Sequence, residues 1–291
     1  MPEKLRKMCT KEDIQLVECP RDAIQGLHSW IPTEKKIAYL NHLMDSQLFH
    51  SIDFGSFVSP KAVPQMQDSA SVAQGIQKKG KTKLSAVVLN ERGAETALAL
   101  HHIDRLGFPF SISETFQQRN ANASIGSSFE RVEAIQQLLM QKQQLMIYIS
   151  MAFGNPYGDP WNRELVEQWI EKLASLGIKH FSLADTTSAA TIETIQHVFA
   201  HIQNTFPGLS LSIHLHSRPE EAAVKIEAAY AAGCRIFEGA LLGYGGCPFA
   251  QDDLVGNIPT ELLLTKFNKA SLQQVQDLQA KFQTLLHDHD L

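Results

Sequence analysis

Eight short apolar runs, each followed by a stretch with helical spacing, constrain this chain more than any other feature. The runs are IQLVEC (14–19), SIDFG (51–55), LSAVVL (84–89), FPFSIS (108–113), LMIYIS (145–150), HFSLAD (180–185), LSIHLHS (211–217) and RIFEGA (235–240). Their length and their β-branched and aromatic content predict strands. Between them, EKKIAYLNHLMDS, ETALALHHIDRL, FERVEAIQQLLMQK, RELVEQWIEKLASLG and EEAAVKIEAAYAAG carry apolar residues three and four apart, which predicts amphipathic helices. LASLG and YAAG close on glycine, a helix C-cap signal. Eight strand–helix units in 291 residues fit one closed (β/α)8 barrel, a TIM barrel of the α/β class. It would fill residues 1–291 as a single domain, with a lid loop and a helix towards the C-terminal end. An open doubly wound sheet is the alternative. That fold calls for a glycine-rich phosphate turn after an early strand, and here the first strand ends in CPRD.

Composition narrows the partners. A formal charge of −5 argues against nucleic acid or an anionic membrane as the main partner. No apolar run approaches the roughly 18 residues of a membrane helix, and the N-terminal MPEKLRKMCTKEDIQ has no apolar signal core. Cys9, Cys19, Cys234 and Cys247 are scattered, with no CxxC. In a chain of this size that pattern predicts reduced thiols and a cytoplasmic setting.

In such a barrel the reactive groups gather where the strands end. The first strand ends at Arg21 and Asp22, the second carries Asp53, the fourth ends at Ser113 and Glu114, and the sixth ends at Asp185 and Thr186. The seventh ends at His214 and His216, and after the eighth come Cys247 and Asn257. Carboxylates, imidazoles, a thiol and an amide all fall on one rim.

Side chains two apart on a strand share a face, so His214 and His216 project together while Leu215 turns to the helices. Two neutral imidazoles beside a carboxylate suit a divalent ion such as Mn²⁺, Mg²⁺, Co²⁺ or Zn²⁺. Asp22 is the nearest such carboxylate once the barrel closes. From spacing alone, a packed, hydrogen-bonded histidine pair fits equally well; the other rim residues favour the metal. Cys247 sits in GGCP, either an ordinary surface turn or a mobile lid whose thiol moves a proton. Taken singly, Arg21–Asp22 reads as a surface ion pair, Asp185 as part of a helix cap and Asn257 as a turn residue. Their order along one rim is what favours function.

PRDAIQ (20–25), SFVSPKAVPQM (56–66), SLADT (182–186), HLH (214–216), GGCPFAQ (245–251) and GN (256–257) occur in this order. Together they resemble the hydroxymethylglutaryl-CoA lyase family of metal-dependent TIM barrels, from about Val17 to the helix after Asn257. The resemblance implies cleavage of 3-hydroxy-3-methylglutaryl-CoA into acetyl-CoA and acetoacetate, in leucine breakdown or ketone-body formation. It implies Asp22, His214, His216 and Asn257 as ligands of a divalent metal, Mg²⁺ or Mn²⁺. It implies Arg21 as the group that stabilises the enolate, Asp185 as an acid near the reacting hydroxyl, and Cys247 as a proton-transfer thiol. Ser56, Ser59, Lys61 and Ser113 would shape the entrance for the acyl-CoA, and a homodimer is the expected assembly.

The chain also departs from the family. Asp53 stands where the family has glutamate, so a carboxylate there would fall about 1.5 Å short and act through water or serve another substrate. Glu18 stands three residues before Arg21 rather than four, which turns it to the other face of the strand. The stretch from Cys247 to Asn257 is one residue longer than usual. These differences keep open the same cleavage on another branched 3-hydroxyacyl-CoA. A related acyl-CoA condensing synthase fits less well, because those enzymes lack GGCP. A barrel that binds metal and acyl-CoA without catalysis leaves the grouping of Arg21, Asp185 and Cys247 unexplained.

Overall fold

The computed structural model describes residues 14–139, 143–246 and 255–287. Within them the eight runs form eight parallel strands: β1 (Gln15–Glu18), β2 (Ser51–Ser56), β3 (Lys83–Val87), β4 (Arg105–Ser111), β5 (Gln144–Ser150), β6 (His180–Asp185), β7 (Ser210–Leu215) and β8 (Ile236–Gly239). They pair in sequence order and close, β1 on β8, with Gln15 opposite Ile236 and Glu18 opposite Gly239. The expected TIM barrel is therefore the fold, and the open sheet is excluded.

The helices are α1 (Pro20–Ile24), α2 (Thr33–Ser46), α3 (Ser69–Gly75), α4 (Glu91–Leu98), α5 (Glu114–Ala121), α6 (Ile125–Leu138), α7 (Arg163–Ser175), α8 (Ile192–Thr205), α9 (Pro219–Ala231), α10 (Thr260–Lys266) and α11 (Leu272–His287). The glycines expected to stop α7 and α9 do so, with φ of +86° at Gly177 and +102° at Gly233. No helix among the described residues is long and apolar enough to cross a membrane.

One helix is shifted from its expected place. The apolar spacing of ETALALHHIDRL (95–106) predicts a helix there, yet α4 starts at Glu91 because the Asn90 side chain accepts from Gly93 N at 2.8 Å. It ends at Leu98. Asp104 then accepts from Leu84 N through its carboxylate and donates its own N–H to Leu84 O, which draws Arg105 and Leu106 into β4. Ser113, expected at a strand end, instead caps α5 by accepting from Phe116 N at 3.2 Å.

Alternation divides the strands. Leu84, Leu106, Phe108, Phe110, Ile147, Ile149, Phe181, Leu183, Ile213 and Leu215 are buried in the layer between strands and helices. The inward set holds Ser51, Asp53, Ser85, Arg105, Ser182, Ser212, His214 and Glu238, all buried. Barrel interiors are usually filled by branched aliphatic side chains, so this one is unusually polar. A register shift between Asp53 and Gly55 adds a residue to β2. It lets Asp53 and Ser56, three apart, both turn inward, since Asp53 lies opposite Ser85 and Ser56 opposite Val87.

Candidate active site

Pro20 opens α1, a position where its missing N–H costs nothing. This single turn aims Arg21 and Asp22 across the barrel mouth. Arg21 donates from Nε and Nη2 to Asp53 Oδ2 at 3.0 and 2.6 Å, and from Nη1 to Asp22 Oδ1 at 2.9 Å and Gln25 Oε1 at 3.2 Å. Burial opposes the guanidinium charge, but Asp53 and Asp22 outweigh it and push the Arg21 pKa up. The shorter Asp53 thus reaches Arg21 directly, without a bridging water. Its carboxylate is 1% exposed and positions the arginine.

Asp22 faces the two imidazoles. Burial works against its charge, yet Arg21, His214, His216 and the Asn257 amide hold its pKa down to about 2. One ligand atom from each of Asp22, His214 and His216 lies within 4.8 Å of the others. His216 Nδ1–H donates to Val255 O at 3.0 Å, because a carbonyl can only accept. His214 Nδ1–H donates to Glu238 Oε2 at 3.2 Å. In its neutral form each ring therefore turns its Nε2 lone pair to the site. For His214, burial opposes the charge but Glu238 and Asp22 outweigh it and raise the pKa, so a bound cation would displace a proton there. Burial lowers the His216 pKa to about 4, leaving that ring neutral at pH 7.

Asn257 completes the set. Its Nδ2 donates to Asp22 Oδ2 at 2.7 Å and Tyr244 O at 2.8 Å, while its Oδ1 is buried with no hydrogen-bond partner among the described residues. A carboxylate, two imidazole lone pairs and an orphaned amide oxygen are the donor set of a divalent ion with N/O preference, so these residues fit one. Gly245 makes the approach possible. At φ +100°, its Cβ would stand 2.5 Å from Asp22 O and 2.7 Å from Asn257 Nδ2.

Cys19, His214 and Glu238 also meet the spacing of a metal cluster. Their chemistry points elsewhere. Glu238 Oε1 already accepts from Ser182 and Ser212 at 2.6 Å each, and burial pushes the Cys19 thiol pKa up, away from the thiolate. Glu238 is better read as the carboxylate that orients His214.

The mouth opens into a cleft. Its walls carry the polar Arg21, Asp22, Tyr148, His214 and His216 and the apolar Val58, Val63, Val87, Leu89 and Phe116. Of the residues expected at the entrance, Ser56 lines this cleft, and Ser59 borders a neighbouring surface groove that Ser56 also touches. Lys61 is exposed on the same loop. Ser113 is bound to Asp159 Oδ2 at 2.5 Å, outside the cleft lining. Asp185 is also turned away. It lies opposite Leu215, on the helix-facing side of β6, accepts from Ala190 N at 3.1 Å and is held by Lys225 Nζ at 3.4 Å. Its neighbours Ala184 and Thr186 line the cleft instead. Cys247 lies outside the described residues.

The sequence reading missed Glu238, Tyr148, Gln25 and Lys225. Glu238 left a signal: an acid in the middle of a strand buried on both faces needs a partner. Glu18, as its offset implied, faces away from the cleft. It accepts from Leu241 N at 3.0 Å and Thr260 Oγ1 at 2.5 Å, tying β1 to both flanks of the loop that carries Gly245 and Asn257.

The HMGL-like family model matches residues 14–287. The mitochondrial hydroxymethylglutaryl-CoA lyase of Mus musculus is 32% identical over 271 residues, which cover 92% of this chain and 82% of the relative. The 3-hydroxy-3-isohexenylglutaryl-CoA/hydroxy-methylglutaryl-CoA lyase of Pseudomonas aeruginosa is also 32% identical, covering 92% and 89%. Among solved structures, an HMG-CoA lyase from Acinetobacter baumannii in complex with coenzyme A and 3-methylmalate superposes with a TM-score of 0.87 at 30% identity, covering 95% of this chain and 92% of that one.

Proposed function

Because the chain belongs to the HMGL-like family, we propose that it cleaves 3-hydroxy-3-methylglutaryl-CoA into acetyl-CoA and acetoacetate. The observation that carries this reading is the convergence of Asp22, His214 and His216 beside Arg21 at one end of the cleft. In the reaction the tertiary hydroxyl loses its proton, the bond between C2 and C3 breaks, and acetoacetate leaves. The electron pair passes to the thioester as an enolate, which takes up a proton to give acetyl-CoA.

Asp22, His214, His216 and Asn257 would hold a divalent ion, Mg²⁺ or Mn²⁺, whose charge acidifies the substrate hydroxyl and orients it. Arg21 lines the cleft and presents a permanent cation to the enolate oxygen, with Asp53, Asp22 and Gln25 fixing its plane. Glu238 orients His214. Asp185 and Lys225 act at one remove: they brace the turn that carries Thr186 into the cleft. Cys247 is the proposed proton donor to the enolate. The apolar lining receives the acyl and pantetheine portion, with Ser56 at its rim, while Ser59 and Lys61 meet the outer part of the CoA. A reducing cytoplasmic setting agrees with the free, buried thiols of Cys19 and Cys234. A homodimer belongs to the same reading and is checked by sedimentation.

The same apolar lining favours a second substrate, a 3-hydroxyglutaryl-CoA whose branch is longer than methyl. One assay tests both. Metal-stripped protein should release no acetoacetate from 3-hydroxy-3-methylglutaryl-CoA, and Mg²⁺ or Mn²⁺ should restore release. Metal-dependent cleavage of the longer-branched thioester alone would transfer the activity to that substrate. Inertness towards both, with metal bound, would overturn the reading.

A further inference from the structure

The cleft occupies the mouth where the strands end. At the opposite mouth, where they begin, the basic side chains Lys83, Arg105 and His180 stand among the inward residues. Arg105, the first residue of β4, shares the interior face with Pro109, which lines the cleft. It is 6% exposed. Its Nη2 donates to Gln144 Oε1 at 3.2 Å, and Nη1 meets only the Met146 sulfur at 3.5 Å. Its Nε is buried with no partner among the described residues. Among the described residues no carboxylate lies within ion-pair distance of it. Buried arginines are ordinarily paired.

The neighbours deepen the imbalance. Lys83, the first residue of β3, directs Nζ to the same Gln144 Oε1 at 3.3 Å. One neutral oxygen thus receives two cations. His180, the first residue of β6, shares the interior face with Ala184, and its Nδ1 is buried without a partner among the described residues. His50, just before β2, and Lys179 stand at the same end. Among the described residues Asp104 is the acid at the start of β4, and it is engaged by Leu84 N and Lys78. Glu238 and Tyr148 reach Arg105 only electrostatically, from deeper in the barrel.

We propose that this mouth binds a small tetrahedral oxyanion of the phosphate class, between Arg105, Lys83 and His180. The guanidinium edge bearing Nε and Nη2 matches two oxygens of such an anion. Lys83 Nζ and a ring N–H of His180 reach the others, which a monatomic ion cannot satisfy at once. The anion would tie together the starts of β3, β4 and β6, remote from Arg21 and Asp22. Its effect is on stability rather than on turnover. Burial, together with Arg105 and Lys83, holds the His50 and His180 pKa values at about 4. A bound anion would raise both.

The probe is inorganic phosphate, added to the full chain at constant ionic strength, with chloride as the reference and a phosphate monoester as a second arm. Phosphate should raise the melting temperature saturably, chloride should not, and the His180 titration followed by NMR should move up. A monoester that acts equally well extends the ligand to phosphorylated metabolites. Arg105→Met should remain folded and lose the phosphate response. Should that variant not fold, Lys83→Met and His180→Gln keep the buried arginine and should each weaken the response at least tenfold. A shift equal in chloride, or retained in these variants, overturns the proposal, as does a His180 titration that ignores phosphate.

Discussion

The two mouths lie at opposite ends of the same barrel, yet they solve opposite problems. Where the strands end, Arg21 meets Asp22 and Asp53, the Asn257 amide meets Asp22, and Glu238 meets His214 and two serines. Nearly every buried charge there has a counterpart, and the exposed chemistry is confined to imidazole lone pairs, an amide oxygen and one guanidinium edge. Where the strands begin, Arg105 and Lys83 share one neutral amide oxygen. The difference teaches that a buried arginine is not a role in itself. Its partners decide whether it stabilises, catalyses or waits for an anion.

The most forceful test removes the arginine from each end in turn. Arg21→Met leaves Asp22 and Asp53 buried without their cation, a situation that costs about 3–5 kcal/mol. Arg105→Met, in chloride, removes an unpaired buried cation and should cost nothing or stabilise. Chemical denaturation of the two variants therefore gives shifts of different size and sign. Equal losses would erase the distinction between the mouths. The milder Arg21→Gln should keep the fold and reduce kcat by about 10²–10³-fold, the scale of one lost transition-state donor. Metal affinity, measured by titration calorimetry, should stay within a few-fold. A parallel collapse of metal binding would mean that Arg21 serves the ion rather than the enolate.

Glu238 sharpens the comparison from inside. Glu238→Gln preserves shape but removes the carboxylate that accepts from His214. Metal affinity should fall by about 10–100-fold, as for other residues that orient a ligand. An unchanged affinity would leave His214 held by its β7 backbone and the Tyr148 ring, whose centroid is 6.2 Å away.

The sequence made the barrel legible because the strands run apolar on their helix-facing side, Glu18 and Asp185 excepted, whatever stands inside. It made the rim legible because PRD, HLH and GN are local motifs. What it hid was register. Asp185 ends β6 in the same way that His216 follows β7, but the pairing of Asp185 with Leu215 turns it to the helices. Asp53 and Ser56 share the interior only through a bulge that no local pattern announces. Lys225 lies on α9, and only tertiary packing brings its ammonium to Asp185. Nor could Arg105 be recognised, since its segment read as the tail of a helix.

Glu18 gives the smallest effect and the most direct test of how the cleft mouth is secured. Burial raises its pKa from the ordinary value of 4.5 to about 8, against the hydrogen bonds from Thr260 and Leu241. Between those two values the folded protein holds a proton that the unfolded chain has released. Stability therefore declines as pH rises from about 4.5 to about 8, with a slope of at most about 1.4 kcal/mol per pH unit from this group. Above the folded pKa the contribution is gone. Glu18→Gln mimics the neutral acid: its carbonyl can accept from Leu241 N and its amide can donate to Thr260 Oγ1. The variant should match the parent near pH 5 and exceed it at pH 8, when urea midpoints are compared. Because Leu241 and Thr260 flank the loop that carries Asn257, it should also flatten any alkaline loss of metal affinity. If the two proteins show the same pH slope, Glu18 is ionised throughout, and the bond to Thr260 is a charged one.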